Sequence, residues 1–219
     1  IPAGDSAYSN ISAKGPSVLP NEATAFARIT EEGTTGDIAL QSETETSLGG
    51  LLQATGWDAK VGLTNGQILK TSSLIIGENM ASLTIGTNTA DGLLMPLSAG
   101  EALSLANYSA NTLSVNTPVT NNTSASSLVK LGQGAVRLNG ATAYTGATQI
   151  DAGELVLAAN GTTQALAGAI SGAGALVKDG SSRIVLGSAN TYNGLPLIRE
   201  GTLMPSYHTS LGSTLAGTI

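Results

Sequence analysis

The chain has 219 residues with 28 Gly, no Cys, 3% aromatic and 11% charged side chains, where ordinary domains carry about 25% charge. A net charge of −6 and a pI near 4.6 exclude the basic face that nucleic acid or anionic lipid requires. No run approaches the roughly 18 apolar residues of a membrane helix, yet 41% hydrophobic content and a mean hydropathy of +0.16 are too apolar for a disordered chain. The absence of Cys removes disulfides, zinc–thiolate sites and thiol catalysis together.

In chain order, residues 1–30 carry Pro2, Pro16 and Pro20 and read as an irregular N-terminal cap or linker. The opening at Ile1, without Met or a charged-then-apolar leader, points to a removed signal or an excised piece. Brief apolar strokes at 73–76, 83–85, 93–94, 103–105 and 113–115 follow. Gly77, Gly86, Asp91-Gly92, Gly100 and Asn107 separate them as corner residues. Val136, Leu138, Leu155, Leu157, Ile184, Leu186 and Leu203 continue the beat with strand alternation. Asn139-Gly140, Asn160-Gly161, Asp179-Gly180 and Asn193-Gly194 mark further corners, because these pairs tolerate positive φ. Residues 31–205 therefore read as one repetitive all-β unit, and 206–219 as an irregular tail.

The strongest signal is internal. At an offset of 48 positions, Leu128-Val129-Lys130 falls on Leu176-Val177-Lys178 and Gly132 on Gly180. Leu138, Ala141, Tyr144 and Gly146 fall on Leu186, Ala189, Tyr192 and Gly194; Ile150, Gly153 and Leu155 fall on Ile198, Gly201 and Leu203. The copies at 128–155 and 176–203 make a true repeat, and a period of this size indicates a solenoid, propeller or array. With few aromatics, the core must be narrow and filled by Leu, Ile, Val and Ala. About 20–25 residues per coil would give about nine coils, with the 48-residue offset spanning two.

The blocks 128–141 and 144–148, and their counterparts from Val177 to Gly194, resemble the autotransporter-associated β-strand repeat. The preceding stretch from Leu105 to Asn116 resembles the strand pair that leads into it. The similarity is clear over about 100–205. It implies a right-handed, single-stranded parallel β-helix passenger, secreted or displayed on a bacterial surface. The translocator barrel that accompanies such passengers has no counterpart in these residues.

Candidate chemistry is sparse. His208 is the single histidine, so a multi-His metal site cannot be assembled, and an exposed tail residue is expected rather than a catalytic base. Asp151 and Glu154 flank Gly153 as a conceivable glycosidase pair, but Arg199 occupies the position aligned with Asp151, which favours a solvated loop. Glu31, Glu32 and Asp37 form the densest acidic cluster, and Glu43 and Glu45 alternate along one strand face. Asn88, Asp91 and Gly92 place oxygens in one turn without the regular alternation of a calcium loop. Tyr144 and Tyr192 could stack on sugars, but the favoured reading packs each ring over its adjoining glycine. The sequons beginning at Asn10, Asn107 and Asn160 are expected by chance in so Asn/Ser/Thr-rich a chain.

The expectation is a non-catalytic, exported structural solenoid without cofactor or metal, serving as a stalk, adhesin or fibre segment. Its partners would be copies of itself, through end-to-end or strand-donating assembly, or neighbouring surface components. The alternative is a β-helix that binds or cleaves polysaccharide. A glycan would then be the partner, and a row of aromatics or acids at coil spacing would mark the site.

Overall fold

A computed structural model describes residues 8–161 and 163–213. They form an all-β solenoid of parallel strands, with about eight turns and no helix. Small apolar residues alternate along most of the short strands and turn inward, corner glycines let the chain bend, and the strands pair with those of neighbouring turns.

Three faces recur. The first stacks Tyr8–Ser12, Glu22–Glu31, Glu45–Gln53, Ile68–Ile76, Ala102–Asn107, Ser127–Leu131, Thr148–Ile150 and Ile170–Ser171. The second stacks Ala59–Val61, Leu83–Ile85, Leu113–Val115, Val136–Leu138, Glu154–Leu157, Ala175–Lys178 and Leu197–Ile198. On the third, Leu93–Met95, Val119–Thr120 and Thr142–Ala143 pair in sequence, and Gln164–Leu166, Arg183–Leu186 and Thr202–Pro205 pair in a separate ladder. The long strand Ile68–Ile76 bends across a corner. Its first residues pair with Leu93–Met95 and its last with Ala102–Asn107. At about 4.8 Å per rung, the eight rungs of the first face span about 35 Å.

The core is a set of aliphatic columns along the axis. On the first face Leu51, Leu74, Leu105, Lys130 and Ile150 stack in register, and on the second Val61, Ile85, Val115, Leu138, Leu157 and Lys178 do so. All of these are buried, the two lysines included. Where corners press on the neighbouring turn, only glycine fits. A Cβ on Gly168 would lie 2.0 Å from the Gly146 carbonyl oxygen.

Two sequence expectations change here. Residues 1–30 are not an irregular cap in their described part: Tyr8–Ser12 pairs in parallel with Glu22–Glu31, which pairs with Glu45–Gln53. The described part of the tail is also docked. Asn190 N–H donates to the Thr209 carbonyl, Asn190 Nδ2 to the Ser210 carbonyl at 2.6 Å, and Ser213 N–H to the Tyr192 carbonyl. Side-chain and backbone hydrogen bonds supply there the regularity that hydrophobic alternation lacks.

The 48-residue offset is not two turns. Leu128 stacks beneath Thr148, 20 residues on, and Thr148 beneath Ile170, 22 further. Leu176 lies on the second face, paired with Leu155 rather than with the column of Leu128. From Ser127–Leu131 to Ala175–Lys178 the chain advances seven strands, two turns and one face. The sequence period counts faces, and seven is not a multiple of three.

Among the described residues no helix is long and apolar enough to cross a membrane.

Candidate functional site

The structure disperses the acidic residues. Glu32 pairs with Lys14 at 2.8 Å, Asp37 with Lys60 at 2.9 Å and Glu45 with Lys70 at 2.8 Å, each pair joining successive turns. Glu31 and Glu43 are exposed. Glu154 pairs with Arg199 at 3.4 Å, and Asp151 accepts a hydrogen bond from Gln149 Nε2 at 2.6 Å. In the turn at 88–92 the Asn88 amide donates to the Asp91 carboxylate at 2.7 Å, so the two side chains close the turn on each other. Among the described residues no three His, Asp or Glu side chains converge as a metal would require. His208 is exposed in the turn at 207–210.

Tyr144 and Tyr192 lie in the core and are not offered to a sugar. Tyr144 is 2% exposed and its hydroxyl meets Thr148 Oγ1 at 2.8 Å; Tyr192 is fully buried, its ring edge against Gly212. Burial pushes both phenols up to about 12. Among the described residues the Tyr192 hydroxyl has no hydrogen-bond partner. Asn107 is also buried. Its amide donates to the carbonyls of Asn111 and Ala135 and its Oδ1 accepts from Ser109 N–H, which withdraws that sequon from the surface. Asn10 accepts from Arg28 Nε on the exposed first strand; Asn160 lies in an exposed corner, with Thr162 of its sequon outside the described residues.

The repeat's own chemistry is a pair of corner lysines. Lys130 Nζ donates to the carbonyls of Leu131 at 2.9 Å and Gly132 at 2.6 Å in its own turn, and of Ala152 at 2.9 Å in the next. Lys178 Nζ donates to the carbonyls of Asp179 and, at 2.6 Å, Gly180. Burial holds Lys130 down at about 8. Burial also lowers Lys178, against the opposing pull of Asp179 and Glu200. Asn107 and Gln53 work alike at their corners, each joining a carbonyl four residues on to one in the following turn. The sequence reading did not single out these lysines. The available signal was a Lys two residues after a core Leu, at an inward position, in both copies.

Along the corner between the second and third faces lies a groove of about 410 Å³ lined by Thr87, Asn88, Asn116, Arg137, Asn139 and Glu200 among others. A string of hydrogen bonds forms its floor. Asn116 Nδ2 donates to the Gly86 carbonyl at 3.2 Å, Asn139 Nδ2 to Asn116 Oδ1 at 2.8 Å, and Arg137 Nε to Asn139 Oδ1 at 2.9 Å. Arg137 Nη1 then reaches Asp179 Oδ2 at 2.7 Å, and Asp179 Oδ1 takes the Gly180 N–H at 2.9 Å. The Arg137 hydrogen bond, seconded by the Gly180 N–H, lowers the Asp179 carboxyl.

Residues 128–157 and 176–204 match the passenger-associated-transport-repeat, the segments that hold the two corner lysines. The chain carries autotransporter passenger repeats. It is similar to the adhesin BmaC autotransporter of Brucella suis biovar 1 (strain 1330), 29% identical over 177 residues covering 77% of this chain. Those residues span 5% of that relative's length. No solved structure matches the chain. The passenger repeats and the relative place it among exported proteins of the bacterial cell surface.

Proposed function

We propose that the chain is a non-catalytic rod within an adhesin-like passenger, holding its surface clear of the cell that exports it. The observation that supports this is the continuity of the stack, with one apolar core running from Ala13 to Leu203. A repetitive stack extends by adding rungs, each needing only its neighbours, which suits a spacer. The conceivable glycosidase pair is occupied otherwise, Asp151 by the Gln149 amide and Glu154 by Arg199. The likeness to an adhesin supports attachment as the role of the whole passenger.

The test has two arms. Bacteria displaying the chain at the tip of a passenger should bind an abiotic or host-cell surface above a barrel-only control. The purified chain should also show no turnover of neutral or acidic polysaccharides by reducing-end assay. Turnover that disappears in Asp151→Asn or Glu154→Gln would overturn the non-catalytic reading, and adhesion no better than the control would overturn the adhesive one.

A further inference from the structure

The groove at the corner of the second and third faces is built from stacked positions. Asn116, Asn139, Ala158 and Asp179 each donate their backbone N–H to the turn before, at the Ile85, Val115, Leu138 and Leu157 carbonyls. Groove-lining residues thus come from successive turns: Thr87 to Thr89, Asn116, Arg137 with Asn139, Asn160, Gly180 and Glu200. They repeat along the axis at the rung spacing of about 4.8 Å. The floor string fixes these side chains before any ligand arrives, and such preorganisation lowers the ordering cost of binding.

The string does not exhaust its members. Asn116 and Asn139 each use one of two amide N–H donors and one of two carbonyl lone pairs, and Arg137 uses two of five N–H donors. What remains includes both donors and acceptors among the described residues. Hydroxyl groups, each at once donor and acceptor, complement such a row; phosphates and carboxylates, which only accept, do not. Charge agrees: Asp179 neutralises Arg137, and Glu200 at the far end disfavours an anion. A spacing near 4.8 Å approaches the length of one pyranose unit, so each sugar of an extended chain would meet one rung.

The geometry points to a binding site for a neutral, extended glycan lying parallel to the solenoid axis, recognised by amide and hydroxyl groups rather than by aromatic stacking. This rests on the adhesive reading above and names its ligand class.

The probes are neutral hexasaccharides of glucose, mannose and galactose, with uronic-acid hexasaccharides of the same length, titrated calorimetrically into the intact chain. At least one neutral probe should bind, insensitive to salt, and at least tenfold tighter than the uronic-acid probes. Thr87→Trp, at an exposed position that fills the groove without touching the floor, should weaken it at least tenfold while leaving the circular dichroism spectrum and melting midpoint unchanged. Asn139→Leu, which cuts the string, should weaken binding at least as much. Binding unaffected by Thr87→Trp, preference for the uronic-acid probes, or no binding of any neutral probe would overturn the site. A chain that adheres to cells while binding no glycan would sink the groove and leave the adhesive rod standing; glycan binding without adhesion would do the reverse.

Discussion

Replacing Lys130 by Met tests the corner lysine most directly. Two effects oppose at neutral pH. Loss of the ammonium leaves the carbonyls of Leu131, Gly132 and Ala152 without this donor, at a cost of about 1–3 kcal/mol each where no other partner compensates. Removing a charge from an aliphatic column returns part of that: a fall from 10.5 to about 8 corresponds to about 3 kcal/mol. The net expectation at pH 7 is a loss of about 2 kcal/mol. The pH dependence is the sharper diagnostic. The native amine loses its proton near 8 and the unfolded one near 10.5, so between these values the unfolded chain binds more protons and stability rises with pH. For the wild type the gain from pH 7 to pH 9.5 is about 2 kcal/mol. Lys130→Met lacks it, and the gap between the two proteins widens to about 4 kcal/mol. Lys178, lowered by the same cause, adds a slope of the same sign to both, so the difference between the curves isolates Lys130. Above about pH 10 the trend reverses, because unfolded tyrosines ionise there while Tyr144 and Tyr192 hold their protons to about 12. Urea unfolding followed by circular dichroism at half-unit steps of pH supplies both curves. A wild-type stability that is flat or falling from pH 7 to 9.5, or a variant that climbs in parallel with it, would refute the reasoning.

Three further outcomes follow from the same contacts. Tyr192→Phe removes a buried hydroxyl that has no partner among the described residues and should raise stability by about 1 kcal/mol, whereas Tyr144→Phe loses the bond to Thr148 and should lower it by about the same; shifts of the urea midpoint in opposite directions are the check. Gly168→Ala sets a Cβ 2.0 Å from the Gly146 carbonyl and should cost about 3 kcal/mol, while Gly66→Ala, strained at φ +86 but in open space, should cost about 1–2 kcal/mol; equal costs would show that the corners are not tightly seated. Asn107→Ala strips three hydrogen bonds from a buried corner and should cost about 3 kcal/mol, read as a fall in melting midpoint.

How much of this was legible depends on which interaction is local. The strokes at 83–85 and 113–115 coincide with strands, because alternation is a property of adjacent residues. The described N-terminal residues were misread for the converse reason. Pro16 and Pro20 signal irregularity locally, but the pairing of Tyr8–Ser12 is with residues 18 positions away. Aromatic residues misled in a second way. Tyr144 and Tyr192 were read as packing over their adjoining glycines at the corners because the few aromatics pointed to a purely aliphatic core, whereas both rings are buried among the core residues. The groove escaped notice because Asn116 and Asn139 lie 23 residues apart, and as single residues each is an ordinary corner Asn. Only stacking brings them together.

The extra face in the repeat has a physical use. A repeat of two whole turns, about 42 residues here, would set Lys130 and its copy in one column, two rungs or about 10 Å apart. Two buried ammonium groups at that distance repel by about 2 kcal/mol at an effective dielectric of 20. Every added repeat would extend that row of like charges. Advancing seven faces instead moves Lys178 to the second-face column while Lys130 stays in the first. Each lysine is then flanked in its column by aliphatic residues, Leu105 and Ile150 for one and Leu157 and Ile198 for the other. With three faces and a step of seven, a third copy would fall on the remaining face, and only a fourth would return to the column of the first. By then seven turns separate the two charges, about 34 Å, well beyond a Debye length. A passenger built this way can repeat its corner lysine along its length without stacking the charges.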